Sequence, residues 1–161
     1  MAYDANIVER EEQLVVFRLQ REHYGVPIGS VREIIRWQEV TQLPHTPDYV
    51  VGVINLRGTV IPVIDLAMRF GMGSSEATNE TRIVVVEMAS HLVGMVVDSV
   101  SEVLRLPTDA IEPPSAIAAS VSVDFLRGVG KTGDRLIVLL DLDKVLGSEE
   151  QGALADLVDA A

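Results

Sequence analysis

The chain has 161 residues, 48% of them hydrophobic, and contains no cysteine. This length suits one domain with a real core, and the missing cysteines exclude a disulfide framework, a thiolate metal site and a cysteine nucleophile. The formal net charge is -11, from 24 acidic and 13 basic residues, which disfavours a nucleic-acid binder.

The predicted strands follow one plan twice, because each half contains five short runs rich in Val, Ile, Leu and Phe. In the first half they lie at 14–19, 24–28, 31–37, 50–55 and 59–64. In the second half they lie at 82–88, 92–97, 100–106, 126–130 and 135–140.

An internal repeat connects the two halves. Residues 14–44 match 83–113 at an offset of 69, and residues 49–71 match 125–147 at an offset of 76. Glu33 falls on Glu102 in this alignment, and a seven-residue insertion near 114–121 accounts for the change of offset. We therefore expect a single domain at 13–147, made of pseudo-repeats at about 14–71 and 83–147, with terminal extensions at 1–12 and 148–161.

Short helices are predicted after the fifth strand of each copy. Asp65 and Asp141 are suited to cap them, Gly71 and Gly147 to end them, and an amphipathic stretch at 149–160 predicts a terminal helix. Five short strands per copy predict a small closed barrel, because closure removes exposed edges. We expect an all-β fold of two packed five-stranded barrels. Which copy supplies the strands of which barrel stays open, because duplicated strands can be exchanged.

The sequence offers no catalytic or phosphate-binding motif. Asp65 and Asp98 are conceivable as an acid/base pair, but a helix cap accounts better for Asp65. The three histidines fall in predicted turns or loops without metal-ligand spacing: His23, His45 and His91. We therefore predict a protein that is not an enzyme and has no catalytic residue, cofactor or metal.

One predicted turn contains a residue that a connection between two strands does not require. Asn and Gly are turn formers and explain Asn55 and Gly58, whereas the turn does not demand Arg57. The second copy has Gly133 at the equivalent position, so Arg57 marks a difference between the copies. An arginine on a tight turn is well placed to bind a partner through bidentate hydrogen bonds, although a plain turn residue remains equally open.

This turn resembles the Asn-Leu-Arg-Gly signature of CheW-like domains. Further motifs match that family in order and spacing over about residues 13–147. They are Phe17, Tyr24-Gly25-Val26, Val31-Arg32-Glu33-Ile34, Thr41-Gln42-Leu43-Pro44, Pro47, Val93-Gly94, Val97-Asp98-Ser99-Val100 and Gly133-Asp134-Arg135.

The resemblance implies two SH3-like barrels with a hydrophobic seam between them. It also implies a non-catalytic adaptor in bacterial chemotaxis that couples methyl-accepting chemoreceptors to the histidine kinase CheA. One surface would bind the regulatory domain of the kinase, and a groove between the barrels would receive the helical cytoplasmic tip of the receptor. We expect a cytoplasmic protein recruited to membrane-associated receptor arrays, with no nucleic-acid partner and no direct membrane insertion.

The residues of the receptor groove follow from the same resemblance, whereas kinase-facing residues stay unassigned. The predicted receptor-binding residues are Val31, Glu33, Asn55, Arg57, Gly58, Val100 and Val103. For each valine, plain strand core remains an alternative. Two other functions also stay open: an adaptor of a non-chemotactic pathway that controls surface motility or a second messenger, and a small-ligand-binding protein with a polar pocket between the barrels.

Overall fold

The computed structural model describes residues 10–74, 76–88, 90–113 and 125–160. The insertion predicted at 114–121 lies outside these ranges. Within them, no helix has the length and apolar character needed to cross a membrane.

The described residues form eleven strands and three α-helices. The first half contains β1 (Glu11–Leu19), β2 (Glu22–Pro27), β3 (Val31–Arg36), β4 (Val50–Leu56) and β5 (Thr59–Asp65). The second half contains β6 (Arg82–Met88), β7 (His91–Val97), β8 (Ser99–Pro107), β9 (Ile111–Glu112), β10 (Leu126–Thr132) and β11 (Arg135–Leu140). The helices are α1 (Leu66–Arg69), α2 (Leu142–Val145) and α3 (Ser148–Ala160), and 3-10 turns lie at Ile28–Ser30 and Thr108–Ala110.

The two halves exchange strands. One sheet has the order β8-β1-β2-β11-β10-β9 and the other β3-β6-β7-β5-β4. The first sheet, barrel 1, therefore joins the first two strands of the first half to the later strands of the second half. The second sheet, barrel 2, makes the reciprocal combination, and parallel pairs β2/β11 and β5/β7 join the halves. The fold is the predicted all-β one, and the exchange answers the question that the sequence left open.

Each sheet closes by extending its edge strand. Strand β8 runs through the turn Thr108–Ala110 into β9, which pairs with β10 at Val129 and Gly130. In barrel 2 the chain after β3 reaches Thr41, whose backbone exchanges hydrogen bonds of 2.9 and 2.8 Å with Val53. These contacts satisfy edge groups that an open sheet would expose to other chains.

The main hydrophobic core lies between the barrels. Alternate side chains of a strand point to opposite faces, so Leu14 and Val16 fill barrel 1 while Val15 and Phe17 pack between the barrels. Strand β6 behaves in the same way. The inter-barrel cluster, called the seam below, contains 20 buried residues among those described, against five in each barrel interior, so the barrels form one packed unit. The residues buried in the seam are aliphatic, aromatic or Met, and Tyr24 supplies the one polar side-chain group among them.

Two aspartates cap helices as predicted. Asp65 accepts a hydrogen bond from a backbone N–H of α1 and Asp141 accepts one from α2, both at 3.2 Å. Gly71 follows α1 with a φ of 75°, as a terminating glycine should. The prediction for Gly147 is wrong, because α2 ends on Leu146 in an extended conformation.

The terminal helix α3 fastens the two halves together. Its Leu154 is buried in the seam, and its Glu150 accepts hydrogen bonds from the Arg69 guanidinium (2.8 Å) and the Tyr49 hydroxyl (3.2 Å). Burial raises the pKa of Tyr49, and the negative charge of Glu150 raises it further. The predicted terminal helix is confirmed, with one added residue at its start.

Candidate docking groove

The β4–β5 turn holds Arg57 in a left-handed backbone conformation that arginine rarely adopts. Arg57 and Gly58 have φ values of 51° and 88°, and Leu56 pairs with Thr59, which is the pattern of a type I′ hairpin turn. The Asn55 side chain accepts a hydrogen bond of 2.7 Å from the Gly58 N–H and supports the turn. A left-handed arginine costs free energy that a glycine avoids, so the turn alone does not account for Arg57.

Arg57 reaches across the open end of barrel 2 to Glu33. Its Nη1 donates to Oε1 of Glu33 at 2.9 Å, and its Nη2 donates to Oε2. Glu33 lies on β3 on the same face as Ile35, which packs in the interior of barrel 2. The Arg57 side chain is 71% exposed, whereas that of Glu33 is 27% exposed. The structure therefore joins four predicted residues, Glu33, Asn55, Arg57 and Gly58, through one turn and one ion pair.

Val31 and Val100 occupy equivalent places at the starts of β3 and β8. Both are partly buried and pack against the seam. Val31 pairs with Val86 and Val100 pairs with Phe17, and both partners are seam residues. The two valines therefore belong partly to the core and partly to the surface at the margin of the seam.

Val103 has an exposed counterpart that sequence reasoning missed. Val103 is 55% exposed and pairs with the seam residue Val15, while Ile34 is 40% exposed and pairs with the seam residue Val84. Ile34 precedes Val103 by 69 positions, so the repeat offset already marked it as the equivalent residue. Each barrel thus presents an exposed aliphatic side chain that pairs with a seam residue.

An ion pair like that of Arg57 also exists in barrel 1. Arg135 Nη1 lies 3.0 Å from a carboxylate oxygen of Glu102, the residue equivalent to Glu33. Arg135 follows Gly133, the counterpart of Arg57, by two positions. The inference that Arg57 marks a feature of one copy therefore needs correction: both barrels tie this glutamate to an arginine of the adjacent hairpin.

The ion pair between Arg135 and Glu102 shifts the pKa of both residues. The hydrogen bond from Arg135 lowers the pKa of Glu102 and outweighs the opposing effect of burial, while the charges of Arg135 and His23 lower it further. The same hydrogen bond raises the pKa of Arg135. The Arg135 side chain is 35% exposed, half the fraction found for Arg57.

The remaining candidate residues have structural partners. Asp65 and Asp98 line one polar cleft of about 490 Å³. Asp65 caps α1 there, and Asp98 accepts a hydrogen bond of 2.6 Å from the Gln20 N–H. His23 lies within β2 and His91 begins β7 rather than lying in turns. No group of three metal-ligating side chains occurs among the described residues.

Comparison with known proteins agrees with this geometry. A family model described as the CheW-like domain matches residues 13–150. The chemotaxis protein CheW of Rhizobium meliloti is 42% identical over 141 residues, which cover 88% of this chain and 91% of that protein. The chemotaxis protein CheW of Klebsiella aerogenes is 38% identical over 147 residues, or 91% and 88% of the two chains.

A solved crystal structure resembles this fold as well. The crystal structure of the scaffolding protein TtCheW from Thermoanaerobacter tengcongensis matches with a TM-score of 0.79 and 37% identity, over 86% of this chain and 94% of that chain. With the exchanged barrels, the apolar seam and the Asn55–Gly58 turn already described, these matches show that the chain belongs to the CheW-like domain family.

Proposed function

We propose that this protein is a non-catalytic adaptor of bacterial chemotaxis that couples methyl-accepting chemoreceptors to the histidine kinase CheA. It acts in the cytoplasm at membrane-associated receptor arrays. The observation that carries the proposal is the exposed Arg57 guanidinium, held by Glu33 on the β4–β5 turn of barrel 2. A side chain fixed in this way is suited to recognising a partner rather than to changing a bond.

The apolar part of the groove fits one face of a helix. Val31 and Ile34 lie on β3 of barrel 2, and Val100 and Val103 lie on β8 of barrel 1. All four contact the seam or pair with a seam residue. Aliphatic side chains along the margins of a groove bind the apolar stripe of an amphipathic helix, which is the form we propose for the receptor tip.

The polar part of the groove sets the orientation of that helix. A guanidinium has five N–H donors, and the two contacts with Glu33 leave other donors of Arg57 for a partner. The ion pair also holds the long side chain in place before the partner arrives, which reduces the entropy lost on binding. Glu33 therefore serves as the positioning residue of Arg57.

Rigid coupling follows from the seam. Because the 20 buried seam residues pack the barrels together, the receptor groove and any second surface keep a fixed relation to each other. We propose that the regulatory domain of CheA binds such a second surface, at the end of a barrel. An adaptor of this kind transmits a signal by holding receptor and kinase in one geometry.

Reconstitution tests the proposal. A receptor cytoplasmic fragment and CheA from the same organism are mixed with and without the protein, and co-sedimentation and kinase autophosphorylation are measured. We expect a ternary complex and higher kinase output only when the protein is present. Unchanged autophosphorylation together with no co-sedimentation would contradict the proposed function.

A further inference from the structure

A second, polar cleft lies between the barrels at the margin of the seam. It has a volume of about 270 Å³. Barrel 1 contributes Arg18 from β1 and the start of β8, and barrel 2 contributes Arg82 from β6 with Glu80 just before it. The β8 residues in its lining are Ser99, Val100 and Ser101. Two guanidiniums and two hydroxyls in one small cleft are the donor set of an anion site.

The two arginines are held in place by carbonyl groups rather than by acids. Arg18 donates to the Gln20 carbonyl at 3.0 Å, and Arg82 donates to the carbonyls of Asn79 and Thr81 at 2.8 and 2.9 Å. Within the described ranges neither arginine forms an ion pair with a carboxylate, although acidic residues outnumber basic ones by 24 to 13. Carbonyl contacts fix the guanidiniums without neutralising their charge.

A third arginine adds to the positive potential. Arg36 on β3 lies directly opposite Arg82 on β6, so their side chains share one face of the sheet. Like charges at directly opposed positions destabilise a sheet. A bound anion near Arg82 would offset that repulsion, which gives a second and independent reason to place an anion here.

We propose that this cleft binds the carboxylate of an acidic side chain on the protein that docks along the groove. The carboxylate accepts hydrogen bonds from Arg18 and Arg82, with Ser99 and Ser101 as further donors. Glu80 lines the same cleft, and its negative charge opposes a phosphate dianion more strongly than a single carboxylate.

The position of the cleft connects it to the groove. Val100 lines the cleft and also belongs to the predicted receptor-binding residues. A helix lying against Val100 therefore passes directly beside Arg18 and Arg82. This inference rests on the proposed docking function for the identity of the partner, but the anion site itself is tested without that partner.

The first experiment uses the protein alone. Amide NMR signals of Ser99, Val100 and Ser101 are followed during titration with sodium acetate, and separately with sodium phosphate, against sodium chloride at matched ionic strength. We expect saturable shifts with acetate in the wild type, and none in the double variant Arg18→Gln/Arg82→Gln. Shifts no larger than those with chloride, or saturation by phosphate alone, would overturn the carboxylate site.

The second experiment uses the docking partner. Affinity for a receptor cytoplasmic fragment is measured for the wild type, the double variant and the matched control Arg21→Gln/Lys144→Gln, which removes two charges at exposed positions outside the cleft. We expect the double variant to bind roughly tenfold or more weakly, because charge-assisted hydrogen bonds are about twice as strong as neutral ones. The control should retain the wild-type affinity.

The outcomes separate the two proposals. Equal affinities of the double variant and the control, with the acetate site intact, would overturn the docking role of the cleft. A wild type that binds no receptor fragment would contradict the proposed function, while the acetate titration would still report on the anion site. The double variant could unfold at a lower temperature than the wild type. In that case the single variant Arg18→Gln, which leaves the carbonyl contacts of Arg82 in place, replaces it in both experiments, with the same expected results.

Discussion

Glu33 in barrel 2 and Glu102 in barrel 1 are equivalent residues, and each is held by an arginine from the hairpin beside it. The arginines come from different places. Arg57 lies within its turn, in a left-handed conformation and 71% exposed, whereas Arg135 begins strand β11 after a glycine turn and is 35% exposed. The same ion pair is therefore built once with backbone strain and once without it.

The difference supports the docking role that we propose for Arg57 and a structural role for Arg135. If closing the barrel end were the only requirement, the arrangement at Arg135 would meet it with Gly133 in the strained position. Barrel 2 instead has a left-handed arginine in this turn, and its guanidinium is exposed. Local strain that persists without a structural need is typical of functional sites.

Charge reversal at the two arginines should give the largest contrast. We expect Arg57→Asp to weaken binding of a receptor cytoplasmic fragment by roughly 100-fold, because it places like charges together in the docking contact. Arg135→Asp should change that affinity by less than about threefold, since the docking surface that we propose does not include Arg135. Titration calorimetry measures both, with circular dichroism to confirm folding, and equal losses would remove the distinction.

The exposed aliphatic pair comes next in size. We expect Ile34→Ala and Val103→Ala each to weaken receptor binding by roughly fivefold to tenfold, which corresponds to about 1 kcal/mol for a contacting residue. Leu136, which is 56% exposed on β11, offers a matched control whose truncation should have no effect. Sensitivity at Leu136 with none at Ile34 would place the docking surface elsewhere.

The two turns should respond oppositely to changes in backbone freedom. Gly133→Ala should lower the free energy of unfolding by about 1 kcal/mol, because Gly133 has a φ of 59°. Arg57→Gly should leave stability within about 1 kcal/mol of the wild type, since relief of strain offsets the loss of an exposed ion pair. Receptor binding should nevertheless weaken in Arg57→Gly, although by less than in Arg57→Asp. Urea denaturation measures stability, and a large loss in Arg57→Gly would identify Arg57 as structural.

The smallest expected effect concerns pH and barrel 1. Because the folded-state pKa of Glu102 is lowered, its pair with Arg135 contributes stability above pH about 4.5 and loses it as the pH falls further. The contribution should stay below about 1 kcal/mol, since the pair is exposed and screened. Denaturation of wild type and Arg135→Gln between pH 6 and 3 checks this, and we expect the stability difference to shrink on acidification. A constant or growing difference would contradict the assignment.

Local patterns predicted most of the fold. The strands at 82–88 and 135–140 match their predicted bounds, and the caps at Asp65 and Asp141 form as expected. Alternation and capping are properties of neighbouring residues, so one sequence suffices to find them. The exchange of strands between the halves cannot be predicted in this way. Strands β1 and β6 carry equivalent apolar residues, so either strand fits either barrel.

The residues of the candidate site follow from the sequence one by one, but their arrangement does not. Arg57 and Glu33 were both expected, yet their ion pair depends on how the hairpin folds over the end of the barrel. The sequence did not predict the role of Arg135, because the repeat aligns Arg57 with Gly133. The arginine that pairs with Glu102 lies two positions later, at the start of the next strand. The repeat offset of 69 makes Ile34 the equivalent of Val103, so the sequence contains this information.

Mapping the receptor contact by amide NMR tests the central claim most directly. Labelled protein is titrated with a receptor cytoplasmic fragment, and the signals of the two hairpin turns are compared. We predict perturbation of Asn55, Arg57 and Gly58, with Gly133 and Arg135 unaffected. Equal perturbation of both turns, or perturbation confined to the turn at Gly133, would contradict the account.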